Sequence, residues 1–194
     1  SVVYGQEGQL QSGTPIGYKD IPMMSSGELR FFIDTAGFRG PKGYTREEFY
    51  ILIDAKQLQF VPEQDRHVAQ MDLSITLVDT SGTPVEKETW TRNVSVRDIK
   101  GLQTAALPFR DLVRFDLLPG VYRMTCAIED IYGDKQGTCE GLLKVHNFEG
   151  EALVASDILF VSKLEKAEKE GRFAKYGWNV VPNTTRSYFA GKPM

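Results

Sequence analysis

Residues 117–148 read LLPGVYRMTCAIEDIYGDKQGTCEGLLKVHNF, and this stretch decides the fold. Two runs of β-forming residues, Val121–Asp130 and Gly137–Val145, flank the turn signal Tyr132-Gly133-Asp134, the pattern of a β-hairpin. With the turn centred on Tyr132 and Gly133, Asp130 faces Lys135 and Cys126 faces Cys139. Tyr122, Met124, Cys126 and Ile128 then alternate onto one face, and Cys139, Leu143 and Val145 onto the matching face opposite. Directly opposed residues of a non-hydrogen-bonded pair have Cα atoms about 4.5 Å apart, within disulfide range. Two readings of Cys126 and Cys139 stay open: a cross-strand disulfide, or two buried thiols serving as small hydrophobes. A redox-active pair would need CxxC spacing or a helix N-terminus, and neither is present. Tyr122, two residues past Gly120, sits where a tyrosine corner is expected, its ring in the core and its hydroxyl on loop backbone. Asp130 and Asp134 read as turn residues rather than as part of a calcium loop.

Working outward, the same period of two recurs. Met71, Leu73, Ile75 and Leu77 share one face, while Asp72, Ser74 and Thr76 share the other. One apolar face and one wet face are what a sheet in a two-layer structure needs. Further strand-like runs are Glu28–Thr35, Glu48–Ile53, Val85–Val96 and Leu153–Val161, separated by turn signals such as Gly40-Pro41-Lys42-Gly43 and Asp79-Thr80-Ser81-Gly82. The expected fold is all-β, an antiparallel two-sheet β-sandwich of immunoglobulin or fibronectin type. Phe109-Arg110-Asp111-Leu112 is expected as one helical turn crossing between the sheets. The expected organisation is an irregular N-terminal arm over 1–26 and the sandwich over 27–162. A charged helix or linker follows over 163–176, and 177–194 is an extended segment read as the start of a truncated following domain.

The chain has 194 residues, is 41% hydrophobic and carries a formal net charge of -3. That supports a real core and disfavours a nucleic-acid binder, since no basic stripe interleaves with aromatics. No apolar run approaches the roughly 18 residues of a membrane span. The opening SVVYGQEGQLQSGTP has neither the basic nor the apolar region of a signal peptide.

The sequence points to no catalytic residues, no metal and no cofactor. Its two histidines, His67 and His146, fall in no HExxH pattern, and GxSxG, P-loop and GxGxxG motifs are lacking. Glu48 with Asp54, and Glu129 with Asp130, are the carboxylates a glycosidase reading would use, but no spacing marks either pair. Trp90, Tyr176, Trp178 and Tyr188 are the aromatic candidates, for sugar stacking or for contacts with a neighbouring domain.

Several segments together resemble the β-sandwich portion of the bacterial GWxTD-domain family. They are EEFYILIDAKQLQF (Glu47–Phe60), HVAQMDLSITLVDTSG (His67–Gly82), LLPGVYRMTCAIEDIYG (Leu117–Gly133), ASDILFVSKL (Ala155–Leu164) and VPNTTRSY (Val181–Tyr188). The naming motif itself is absent, because Gly177-Trp178 runs on into Asn179-Val180-Val181. The resemblance implies an N-terminal sandwich portion of an exported protein of the periplasm or cell surface. It carries no catalytic residues across. The function expected is a non-catalytic structural or protein-interaction module, with a protein or a neighbouring domain as partner. A carbohydrate-binding module is the alternative, and an enzyme or enzyme-accessory domain a third.

Overall fold

A computed structural model describes residues 22–103, 106–150 and 153–188. They are all-β, with antiparallel strands that curl into a half-barrel. Residues 22–27 contribute two short strands, β1 (Met23–Met24) and β2 (Ser26–Gly27). Then come β3 (Phe31–Arg39), β4 (Thr45–Asp54), β5 (Val61–Glu63), β6 (Arg66–Val78) and β7 (Pro84–Val96). The next three are β8 (Pro108–Leu117), β9 (Gly120–Asp130) and β10 (Lys135–Val145). The last three are β11 (Val161–Lys166), β12 (Ala174–Lys175) and β13 (Trp178–Pro182).

One sheet has the order β1-β3-β4-β8. A second has the order β2-β10-β9-β6, with β7 along the far side of β6. β9 pairs with β6 from Met71 onward, and β5 takes its place beside Arg66–Val68. The N-terminal arm bridges the two sheets, β1 pairing with β3 and β2 with β10. Ser25 makes the bend between them: its hydroxyl donates to the Leu29 carbonyl (2.8 Å) and accepts the Phe31 N–H (2.9 Å).

The period of two explains the packing. Phe31, Ile33, Phe49, Ile51 and Ile53 from the first sheet meet Met71, Leu73, Ile75, Leu77, Met124 and Ile128 from the second in one continuous core. Each large aliphatic or aromatic side chain buried there contributes about 1.5–3 kcal/mol. The hairpin has the expected register, with Asp130 opposite Lys135 and Cys126 opposite Cys139. Both cysteines are buried in the core, and no disulfide joins them.

Three expectations are corrected, the first being the strand over Leu153–Val161, of which only Val161 belongs to a strand. Phe109–Leu112 is not a helical turn; it lies inside β8, paired residue for residue with β4. Its alternation puts Phe109 and Val113 against the core and Leu112 on the opposite face, and that decides for strand. The charged helix expected over 163–176 is also absent, and no α-helix occurs among the described residues. Lys163–Lys166 instead pair with β13, and Ala174-Lys175 pair with its other side. A helix this short is marginal in water, and Gly171 interrupts it, so a long-range ladder outcompetes local propensity. The boundaries expected at 162/163 and 176/177 thus fall within one three-stranded sheet, β11-β13-β12. Of the expected N-terminal arm, residues 1–21 lie outside the described residues.

Candidate functional site

β4 is buried on both faces, which is unusual for a strand of a two-sheet structure. Phe49, Ile51 and Ile53 point into the core. Glu48, Tyr50 and Leu52 point outward, beside Ala36, Asp34 and Phe32 of β3 and Arg114, Leu112 and Arg110 of β8. The segment after β10 folds back over much of this outer face. Leu159 and Phe173 pack on a small second cluster of Ala36, Tyr50 and Leu112.

Three buried carboxylates hold that segment down. Asp34 accepts from Arg186 through Nε (2.9 Å) and Nη2 (2.8 Å), a bidentate pair. Glu48 accepts from Lys175 Nζ (2.5 Å), Arg114 Nε (2.9 Å) and the Tyr50 hydroxyl. Burial alone would push the Glu48 carboxyl up, but hydrogen bonds from Lys175, Tyr50 and Arg114 outweigh it and hold it below the usual range. Burial, reinforced by the Glu48 carboxylate, pushes the Tyr50 phenol up. Lys175 also lies over the Phe38 ring, 4.0 Å from its centroid. Asp111, fully buried at the inner side of edge strand β8, accepts from Trp90 Nε1 (2.8 Å), Arg92 Nε (2.8 Å) and Arg172.

The Pro182–Tyr188 stretch is the element that delivers Arg186. Asn183 donates its N–H to the Phe160 carbonyl and its side-chain amide to the Ser187 carbonyl. The turn closes when the Arg186 N–H reaches the Asn183 carbonyl (2.9 Å), with Arg186 at φ 51°. The guanidinium then spans from Asp34 to the Phe160 ring, 5.0 Å away.

Beside this clasp opens a cleft of about 270 Å³, lined by Glu47, Lys144, His146, Asp157 and Arg186 among others. Asp157 pairs with both main-chain groups of Gly37: its N–H donates to the Gly37 carbonyl (3.0 Å) and its Oδ2 accepts the Gly37 N–H (2.8 Å). A Cβ at position 37 would stand 2.9 Å from Glu47 Oε2 and 3.3 Å from Asp157 Oδ2, so a larger residue there would displace the Glu47 side chain. His146 Nδ1 lies 3.5 Å from Asp157 Oδ1, and Thr45 Oγ1 donates to the His146 carbonyl (2.5 Å). The polar groups here fasten the 153–160 segment to the rim of the first sheet. No three His, Cys, Asp or Glu side chains among the described residues are arranged to hold a metal ion.

The aromatic candidates separate. Trp90 is half-buried against the core, and its Nε1 donates to Asp111 (2.8 Å). Tyr188 is exposed and donates to the Val161 carbonyl (2.9 Å). Tyr176 and Trp178 are both exposed at the β12–β13 hairpin. Lys175 opposes Trp178, so the loop is Tyr176-Gly177, with φ of 50° and 80°. Two positive φ values are those of a type I′ turn. Tyr122 is buried, and its hydroxyl donates to the Leu118 carbonyl (2.7 Å), the contact a tyrosine corner makes.

The remaining surface feature is β7. This 13-residue strand pairs along one side with β6 and has no strand on its other side among the described residues. Its inward residues Trp90, Val94 and Val96 pack on the core, so the free edge rests on a rigid base. Thr89, Thr91, Asn93 and Ser95 face solvent.

Asp34, Glu48 and Asp111 were not singled out as an anchoring set from sequence. The signal was there: each is an acid inside an apolar strand run, FFIDTAGF, EEFYILI or FRDLVRF. Such an acid needs a buried cation, and Arg172, Lys175 and Arg186 supply it. No helix of the described residues is long and apolar enough to cross a membrane. No protein-family profile matches the chain, and no curated protein matches it.

Proposed function

We propose that this chain is a non-catalytic protein-interaction module on an immunoglobulin-like β-sandwich, part of an exported bacterial envelope protein resembling the GWxTD-domain family. The observation that carries the reading is the free edge of β7, a long row of backbone donors and acceptors held on a packed face. An extended partner strand adds to such an edge by β-augmentation. Glu86, Lys87 and Glu88, exposed or half-exposed along it, limit pairing to charge-matched partners. The sandwich part of the reading is supported by two sheets sharing one core and by the Tyr122–Leu118 contact. Export is supported by the sequence resemblance and by two cysteines in direct cross-strand register.

Photo-crosslinking in bacterial cells tests the interaction. A crosslinker at Thr89 or Thr91 is expected to trap a discrete envelope protein, and one at exposed Lys163 is not. Equal or absent adducts at both places would sink the edge-strand mechanism. Intact mass tests the compartment: oxidised Cys126–Cys139 makes the envelope-purified protein two hydrogen masses lighter than its reduced form.

A second reading, carbohydrate binding, is favoured by the exposed Tyr176 and Trp178 on their tight turn. Glycan-array silence in the intact protein would remove it.

A further inference from the structure

The outer face of the first sheet is covered by the C-terminal segment only in part. At the other end, Phe32, Leu52, Asp54, Ala106 and Pro108 line an open groove of about 360 Å³, together with Arg30, Lys56 and Gln57, and Arg110 stands opposite Leu52 just outside that lining. Cross-strand register sets Met24, Phe32, Leu52 and Arg110 in one row across β1, β3, β4 and β8. Three strand spacings make that row roughly 14 Å long. It runs from an exposed Met24 over two half-buried apolar side chains to a guanidinium.

Arg110 differs from most charged residues of this face. Asp34 pairs with Arg186, Arg46 with Asp116, Glu48 with Lys175 and Arg114, and Asp54 with Lys56. Arg110 has no ion pair among the described residues, and its Nε is buried without a hydrogen-bond partner. Burial alone shifts its guanidinium, downward, with no carboxylate acting on it. A half-buried guanidinium without a counter-charge beside an apolar groove carries a desolvation cost that a bound anion would offset.

We propose that this row binds a single-chain anionic amphiphile, its headgroup on Arg110 and its hydrocarbon tail along Leu52 and Phe32 toward Met24. The backbone beneath offers a peptide little. Phe32 pairs with both Met24 and Leu52, Leu52 pairs with Arg110 on its other side, and Pro108 has no N–H. Apolar tails need no such groups. The site is separate from the β7 edge, so its test stands apart from the interaction reading.

Titration of isotope-labelled full chain with decanoate and decyl phosphate, both below their micelle concentrations, decides the matter by amide shifts. Saturable shifts are expected at Phe32, Leu52 and Arg110, and the two probes tell a carboxylate from a phosphate headgroup. Arg110→Gln should weaken binding about tenfold, the worth of one charge-assisted hydrogen bond. Lys56→Gln, at the rim, should weaken it less. Decyltrimethylammonium, with the same tail and opposite charge, should leave the row unshifted. The proposal is overturned if neither anion shifts the row, if Arg110→Gln binds equally well, or if the cationic amphiphile competes. It also fails if an acidic, apolar peptide occupies the groove while both amphiphiles do not.

Discussion

Glu48→Gln isolates the middle station of the C-terminal clasp. The substitution keeps side-chain volume but replaces the carboxylate that accepts from Lys175, Arg114 and Tyr50 with a neutral amide. Arg114 is more than one-third exposed and finds water, so its share of the loss is small. The Lys175 side chain is only 18% exposed and is left as a buried ammonium without a counter-charge. Breaking a pair of that kind costs about 3 kcal/mol, equivalent to about two orders of magnitude in a local opening equilibrium. The two main sheets have their own ladders and a core built without clasp residues, so opening should be confined to the clasp. Hydrogen exchange followed by mass spectrometry should show faster exchange in Ala174–Pro182, with β9 and β10 unchanged. The pH dependence follows from the depressed Glu48 carboxyl. A carboxyl lower in the folded than in the unfolded state stabilises fully above its unfolded value, about 4.3. That stabilisation is lost as pH falls through the folded value. The wild-type clasp should therefore loosen below about pH 4, and Glu48→Gln should lack that component. Unchanged exchange in Ala174–Pro182 at neutral pH, or the same acid loss in both proteins, would refute the reasoning.

Asp111→Asn removes the charge shared by Trp90, Arg92 and Arg172; with both arginines partly exposed, the expected loss is about 2 kcal/mol. Urea melts should show it, with red-shifted Trp90 emission in a Trp178→Phe background. Two glycines of β10 should respond differently to alanine. At Gly137 a Cβ would stand 2.1 Å from the Leu29 main-chain oxygen, so Gly137→Ala should cost about 2–3 kcal/mol. At Gly141 the obstruction is the Met23 sulfur, on a flexible side chain, so Gly141→Ala should cost less than about 1 kcal/mol; paired thermal melts compare them. Tyr176→Asn relieves a left-handed backbone position held by an aromatic residue, and should slow exchange in the β12–β13 hairpin by about 1 kcal/mol in protection.

The strands of the two main sheets were legible because their side chains alternate against a single core. The 126–139 register followed from counting across one turn, since hairpin pairing is local and the buried face forbids a one-residue slip. β8 was misread at Phe109–Leu112. Its inward Asp111 interrupts the apolar period, and only a partner from another strand makes an acid acceptable there. The 163–176 segment was misread for the complementary reason. Its lysines and glutamates favour helix locally, yet β13 supplies a ladder that no window of neighbouring residues contains. The same holds for the clasp. Asp34, Glu48 and Asp111 lie 152, 127 and 61 residues before Arg186, Lys175 and Arg172, the clasp cations that meet them.

The sequence by itself determined an all-β chain, its hairpins and the inward face of each central strand, because a period of two is written in consecutive residues. The tertiary structure alone decided which acids are buried, which cation meets each one, and which stays unmet at Arg110. Those are properties of residues far apart in the chain, and ion pairing between them leaves no periodic trace.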